Sequence, residues 1–149
     1  MNIKSFFNFD RKDGQISRIS ANDNFFTTLF EILEGRRAKF MGDLARNFGF
    51  YFRKLNLERT DDLVITLFAM VRNLKMQKSP DNIKSLIYAR ARINRLTEQY
   101  RNEEAQIFKT LFENCYRIVF QTNKREDIVK RARQLSRFFE EILLNIPVK

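Results

Sequence analysis

From Asn22 onward, apolar residues recur at intervals of three and four, the spacing of one face of an α-helix. Phe25, Phe26, Leu29, Phe30 and Leu33 form the first stripe and stop near Gly35, which predicts one helix. A second is predicted over Phe40 to Leu55, with Met41, Ala45, Phe48, Phe52 and Leu55 on its apolar side. Thr60, followed by Asp61 and Asp62, predicts the start of a third, because a hydroxyl cap and two carboxylates suit the positive end of a helix dipole. Its body, Leu63 to Val71, is apolar on all sides, so this helix is expected to be the central buried one. Ser79-Pro80 predicts the next start, with proline at the first helical position and a run to about Arg101. Asn102 with Glu103 and Glu104 opens the fifth, whose core face is Ile107, Phe108, Leu111, Phe112, Cys115, Ile118 and Val119. Asn123 and Glu126 make a capping-box pattern for the last helix. Its seam of Ile128, Ala132, Leu135, Phe139, Ile142 and Ile146 ends at Pro147.

Residues 1–22 break this rhythm. Phe6, Phe7 and Phe9 precede a polar stretch ending at Gly14, and Ile16 and Ile19 follow among polar residues, which predicts a short hairpin or an extended arm turning at Gly14. Four glycines and two prolines leave little turn chemistry for a larger sheet. The expected fold is therefore all-α, a compact bundle of five to six helices over residues 23–149 behind a short N-terminal arm or hairpin over residues 1–22. At 149 residues one domain is expected, burying about 70% of the surface its unfolded chain exposes. Sixteen Phe and four Tyr lie mostly on the apolar stripes, where packing is their first role.

Charge adds what the pattern does not. Lys plus Arg number 28 against 18 Asp plus Glu, for a net +10 and an isoelectric point near 10.0. Residues 36–101 carry fifteen basic and six acidic groups, so nearly all of the excess falls in one stretch. Clustering of this kind suits a polyanionic partner such as a phosphate backbone. A chain with no histidine can hold no Ser-His-Asp triad and no His-ligated zinc. A single cysteine, Cys115, closes no disulfide within the chain and fits a reducing interior; on the core face it is expected to be inert. Asp61-Asp62, Glu103-Glu104 and Glu140-Glu141 are sequence neighbours that diverge around a helix, so they read as caps and solubilising pairs rather than converging catalytic carboxylates. No enzyme, cofactor or metal is expected. The longest mainly apolar run, Leu63 to Val71, is far short of the roughly 20 residues of a membrane-spanning helix, and the start lacks the apolar core of a secretion signal. A soluble cytoplasmic protein without a membrane partner is expected.

Two constellations stand out. Lys39, Gly42, Arg46, Gly49 and Arg53 share one side of the second helix, alternating cations with bare backbone. Because each glycine inside a helix costs up to about 1 kcal/mol, a phosphate backbone or a crossing helix can be what approaches there. A solvated face with incidental glycines is the third reading. On the fourth helix Lys84, Tyr88, Arg92 and Arg95 fall within about 80 degrees of one another, with Ile83, Leu86, Ile87, Ala89, Ile93 and Leu96 facing elsewhere. Its arginines suit phosphates and Tyr88 suits stacking on a base, against the plainer reading of an exposed polar face. Cations of separate helices are expected to converge into one trough. Lys130, Arg133 and Arg137 form a third stripe, expected to be an ion-paired surface partly neutralised by Glu126, Glu140 and Glu141.

Three segments, Leu44 to Leu55, Tyr88-Ala-Arg-Ala-Arg92 and Phe138-Phe-Glu-Glu-Ile142, together resemble the small subunit of type III CRISPR effector complexes, a short, basic, all-helical family. The resemblance covers about two thirds of the chain in matching order. It implies a non-catalytic subunit, present in several copies beside other effector-complex subunits, that helps hold guide and target RNA in a positively charged channel. Arg46, Arg53 and Arg92 would be the first candidates for backbone contact. The competing expectation is a helical protein-protein interaction or scaffold module, or a non-specific DNA-binding protein, with no RNA role.

Overall fold

The computed structural model describes residues 1–55, 60–76, 83–98 and 102–147. Among these residues the chain forms one two-stranded antiparallel sheet and six α-helices, so the fold is mostly α with a small sheet rather than all-α. The strands are β1 (Phe7–Lys12) and β2 (Gln15–Ala21). The helices are α1 (Asp23–Leu33), α2 (Ala38–Tyr51), α3 (Thr60–Met76), α4 (Ile83–Glu98), α5 (Glu103–Val119) and α6 (Arg125–Leu144).

Of the two forms open to residues 1–22, the hairpin is the one adopted. Asp13 and Gly14 both have positive φ, 53° and 76°, as a two-residue type I′ loop requires, and this loop's twist matches that of the strands it joins. Ile3 and Phe7 are buried in the same core as the helices, β2 packs on α5, and the 3-10 turn Ile3–Phe6 packs on α2.

Local signals set several helix ends. The Asn22 side chain accepts from Phe25 N–H at 2.8 Å and donates to Ser5 O at 2.8 Å, capping α1 and tying it to the N-terminal turn. Asn102 caps α5 in the same way through Ala105 N–H at 2.9 Å. Gly35, with φ 80°, ends α1 by sending its N–H to Ile32 O while Arg36 N–H reaches Glu31 O, a Schellman closure that uses glycine's access to the left-handed region. The capping box expected at Asn123 does not form. α6 starts one residue later, from Lys124, because the Thr122 hydroxyl accepts the Lys124 N–H at 3.2 Å and leaves Asn123 exposed. The starts read at Thr60 and Ser79-Pro80 rest on side chains and residues outside those described.

α5 and α6 pack on each other and take the remaining helices around them. α1 sits on both, α2 on α6, and α3 and α4 pair with each other while resting on α6 and α5. A run of rings joins these layers, from Phe48 to Phe52 (5.7 Å), Phe52 to Phe108 (5.0 Å), Phe108 to Phe139 (6.1 Å) and Phe139 to Phe112 (5.4 Å). Phe48 and Phe52 are stacked and the other three pairs meet edge to face, arrangements that add about 0.5–1.5 kcal/mol each beyond the area they bury. α3 is not the central buried helix. Leu67, Met70, Val71 and Leu74 are buried, but Ile65 is 61% and Phe68 50% exposed; among the described residues α6 and α4 are the elements that pack closely on α3. Cys115 is fully buried on the core face of α5, and burial pushes its thiol pKa up.

Candidate nucleic-acid interface

The buried stripe of α4 is Leu86, Ala89, Ile93, Leu96 and Thr97, whose hydroxyl donates to Ile93 O at 2.7 Å. The 3.6-residue repeat then turns Lys84, Tyr88, Arg92 and Arg95 outward together. Among the described residues no ion pair holds Arg92, Arg95 or Lys84, and Tyr88 is 78% exposed. Ile87, read from the sequence as facing elsewhere, is 50% exposed and shares this surface. With Ile65 and Phe68 on the neighbouring α3, these two helices carry four of the seven exposed large apolar side chains among the described residues, so the basic face has an apolar neighbour.

The α2 set is divided. Lys39 and Arg46 are exposed, Arg46 only 3.9 Å from Asp43. Arg53 lies in the 3-10 turn Phe52–Lys54 and folds back, donating to Phe50 O at 2.7 Å with its guanidinium 3.5 Å from the Phe50 ring centre. Gly49 faces inward against α6. A Cβ there would stand 2.6 Å from Asn145 Cβ and 2.7 Å from Ile142 O, so the approaching group is a crossing helix of the same chain. Gly42 has nothing within 4 Å. Among the described residues α2 and α4 share no extensive contact, and each turns its cations toward solvent.

The third stripe is paired differently from expectation. Lys130 reaches not Glu126, Glu140 or Glu141 but Glu34, at 2.7 Å. Arg131, which no sequence pattern singled out, is buried and donates to Glu34 at 2.6 Å and to Ile118 O at 2.8 Å, satisfying a carbonyl at the end of α5. The Lys130 hydrogen bond, followed by Arg131, holds the Glu34 carboxyl below its usual range against the opposing pull of burial.

A groove that the sequence did not reveal runs between β2 and α5, with a volume of about 740 Å³. Arg18, Arg90, Lys109, Glu113, Tyr116 and Arg117 are among its lining residues. Arg90 crosses from α4 to bind Glu113 in a fork, Nε at 3.0 Å from Oε1 and Nη2 at 3.2 Å from Oε2, with its guanidinium 4.7 Å from the Tyr116 ring centre. Hydrogen bonding to Glu113 pushes the Arg90 pKa up, against burial. Lys109, Glu113 and Arg117 at four-residue intervals are visible as a polar stripe of α5, but their meeting with Arg18 and Arg90 is tertiary.

Comparison with protein-family models, with curated proteins and with solved structures finds no match. No helix among the described residues is long and apolar enough to cross a membrane.

Proposed function

We propose that this chain is a non-catalytic nucleic-acid-binding subunit that grips the sugar-phosphate backbone with the outward face of α4. The observation that carries the reading is that Lys84, Arg92 and Arg95 face solvent around the exposed Tyr88 with no carboxylate partner among the described residues, whereas Arg90 and Arg131 are tied to glutamates. Cations left unpaired on one face are available to neutralise phosphates, and an exposed ring among them can stack on a base. RNA is the polyanion we assign. The finer setting, guide and target strands of a type III CRISPR effector, belongs to the resemblance alone. Of its three segments, Tyr88 to Arg92 faces outward with its ring and cations together, and Leu44 to Leu55 turns Arg46 outward. Phe48 and Phe52, and likewise Phe138, Phe139 and Ile142, are core residues that helix packing by itself accounts for.

The test is charge reversal at Lys84, Arg92 and Arg95 with RNA affinity measured across a salt series. Each phosphate contact contributes about 0.7 to the slope of log affinity against log salt for a single strand, so losing three lowers its magnitude by about 2. An unchanged slope refutes the assignment. A second reading, a docking module for another protein, is favoured by exposed Ile65, Phe68 and Ile87 beside this face. It prevails if RNA binding survives the reversal while serine at those three positions releases a co-purifying protein.

A further inference from the structure

The groove between β2 and α5 contains a feature that backbone neutralisation does not need. Arg90 is fixed along one edge by the Glu113 fork and on one face by Tyr116, which itself lies against Phe120 with ring centres 4.7 Å apart. Its side chain is still 45% exposed. A planar, charged platform with one face already stacked is therefore held in place at the groove wall. Lys109 and Arg117 line the same groove four residues before and after Glu113, about 6 Å up and down the helix axis. Arg117 is steadied by Asn114 Oδ1 at 3.1 Å and by the Phe26 ring. Arg18 adds a further cation from β2, and Glu113 is the one carboxylate among the lining residues. The volume falls within the range of about 300–1,000 Å³ that small-ligand sites occupy.

We infer that this groove receives one unpaired nucleotide of a bound strand, its base laid on the Arg90 guanidinium and its two flanking phosphates beside Lys109 and Arg117. The inference rests on the nucleic-acid reading above and adds a site on a different part of the surface. An acidic peptide would also satisfy the three cations, but it would leave the guanidinium plane without a flat partner. A base uses the plane. A base inside a duplex has its faces covered by its neighbours, so the site takes single strands.

The experiment measures binding of a labelled single-stranded homopolymer to the full chain at low salt. The ribo and deoxyribo strands are run side by side, each against its abasic counterpart. Stacking on one base predicts that the intact strand binds the wild type at least about fivefold tighter than the abasic strand. Arg90→Lys, which keeps the charge and loses the plane, should lower that ratio about fivefold in whichever sugar series shows it, any remainder being stacking on Tyr88. Lys109→Gln with Arg117→Gln should instead reduce the salt slope by about 1.4 for intact and abasic strands alike, without touching Arg90. If Arg90→Lys leaves the ratio unchanged while charge reversal on α4 abolishes binding, the groove assignment falls and the α4 reading stands. Polyglutamate competing as well as the nucleic acid would overturn it in favour of an acidic protein. A wild type that binds no strand at low salt would overturn both.

Discussion

Replacing Gly49 by alanine sets a methyl group where α2 crosses the end of α6. It would stand 2.6 Å from Asn145 Cβ and 2.7 Å from both the Asn145 carbonyl carbon and Ile142 O, against the roughly 3.5–4.0 Å at which such atoms rest. Two of these three atoms are backbone, and Asn145 is itself held by N–H to Ile142 O and by its side chain to Glu141 O, so no flexible side-chain end can swing aside. The end of α6 must move by about 1 Å. Overpacking costs about 1–3 kcal/mol, and contacts this short against backbone put it in the upper part of that range, about 2–3 kcal/mol. Alanine's better helix propensity returns up to about 1 kcal/mol, which leaves a net loss of roughly 1–2 kcal/mol. Gly42→Ala, on the same helix, meets nothing within 4 Å and should gain about 0.8–1 kcal/mol. At this chain length each kcal/mol moves Tm by about 2–4 °C. Thermal and urea unfolding followed by circular dichroism should therefore show opposite signs, a fall of roughly 2–8 °C for Gly49→Ala and a rise of about 2–4 °C for Gly42→Ala. Equal gains at both positions would refute the α2–α6 crossing at Gly49.

Glu34 makes a prediction about pH. Because its folded pKa is lowered, chiefly by the Lys130 hydrogen bond, its contribution is complete above the ordinary carboxylate value of 4.5 and is lost as pH falls through its lower folded value. Glu34→Gln, which leaves the buried Arg131 cation without its counter-charge, should cost about 3 kcal/mol or more at neutral pH in urea unfolding, and the gap to the wild type should narrow below about pH 4.5. A gap that stays constant down to pH 2 would count against the pair as drawn. Cys115, fully buried with its thiol pKa pushed up, should resist a thiol reagent in native buffer and react only as the chain unfolds. Labelling within the mixing time would show that α5 is not packed as described.

Features governed by neighbours along the chain were legible before any fold was known. Asn102, read as the opening of a helix, caps α5 because a short carboxamide side chain reaches the N–H three residues ahead wherever the helix finds itself. Asp13-Gly14 turns the hairpin because two successive positive φ values suit that pair. The α5 and α6 stripes predicted which side would be buried, since a helix turns every third or fourth residue to the same side. The outward set on α4 follows from the same geometry. α6 is capped at Lys124 rather than Asn123, with the Thr122 hydroxyl taking the Lys124 N–H in the turn before it, a bond that helical spacing does not show.

What the chain alone determined, then, is local: where most helices begin and end, which face of each is apolar, and that the stretch 36–101 is strongly basic. Tertiary structure decided the rest. Leu63 to Val71 looks fit for the centre of the molecule, yet how much of it is covered depends on which helices arrive beside it, and among the described residues α6 and α4 are the ones that pack closely there. Lys130 and Arg131 find their carboxylate on Glu34, and Arg90 finds its own on Glu113, through contacts between separate helices. The Gly49 face proved to be a helix crossing and the β2–α5 groove came into being for one physical reason: both are made by the distances between elements, and a helical period fixes direction around an axis but not what lies opposite.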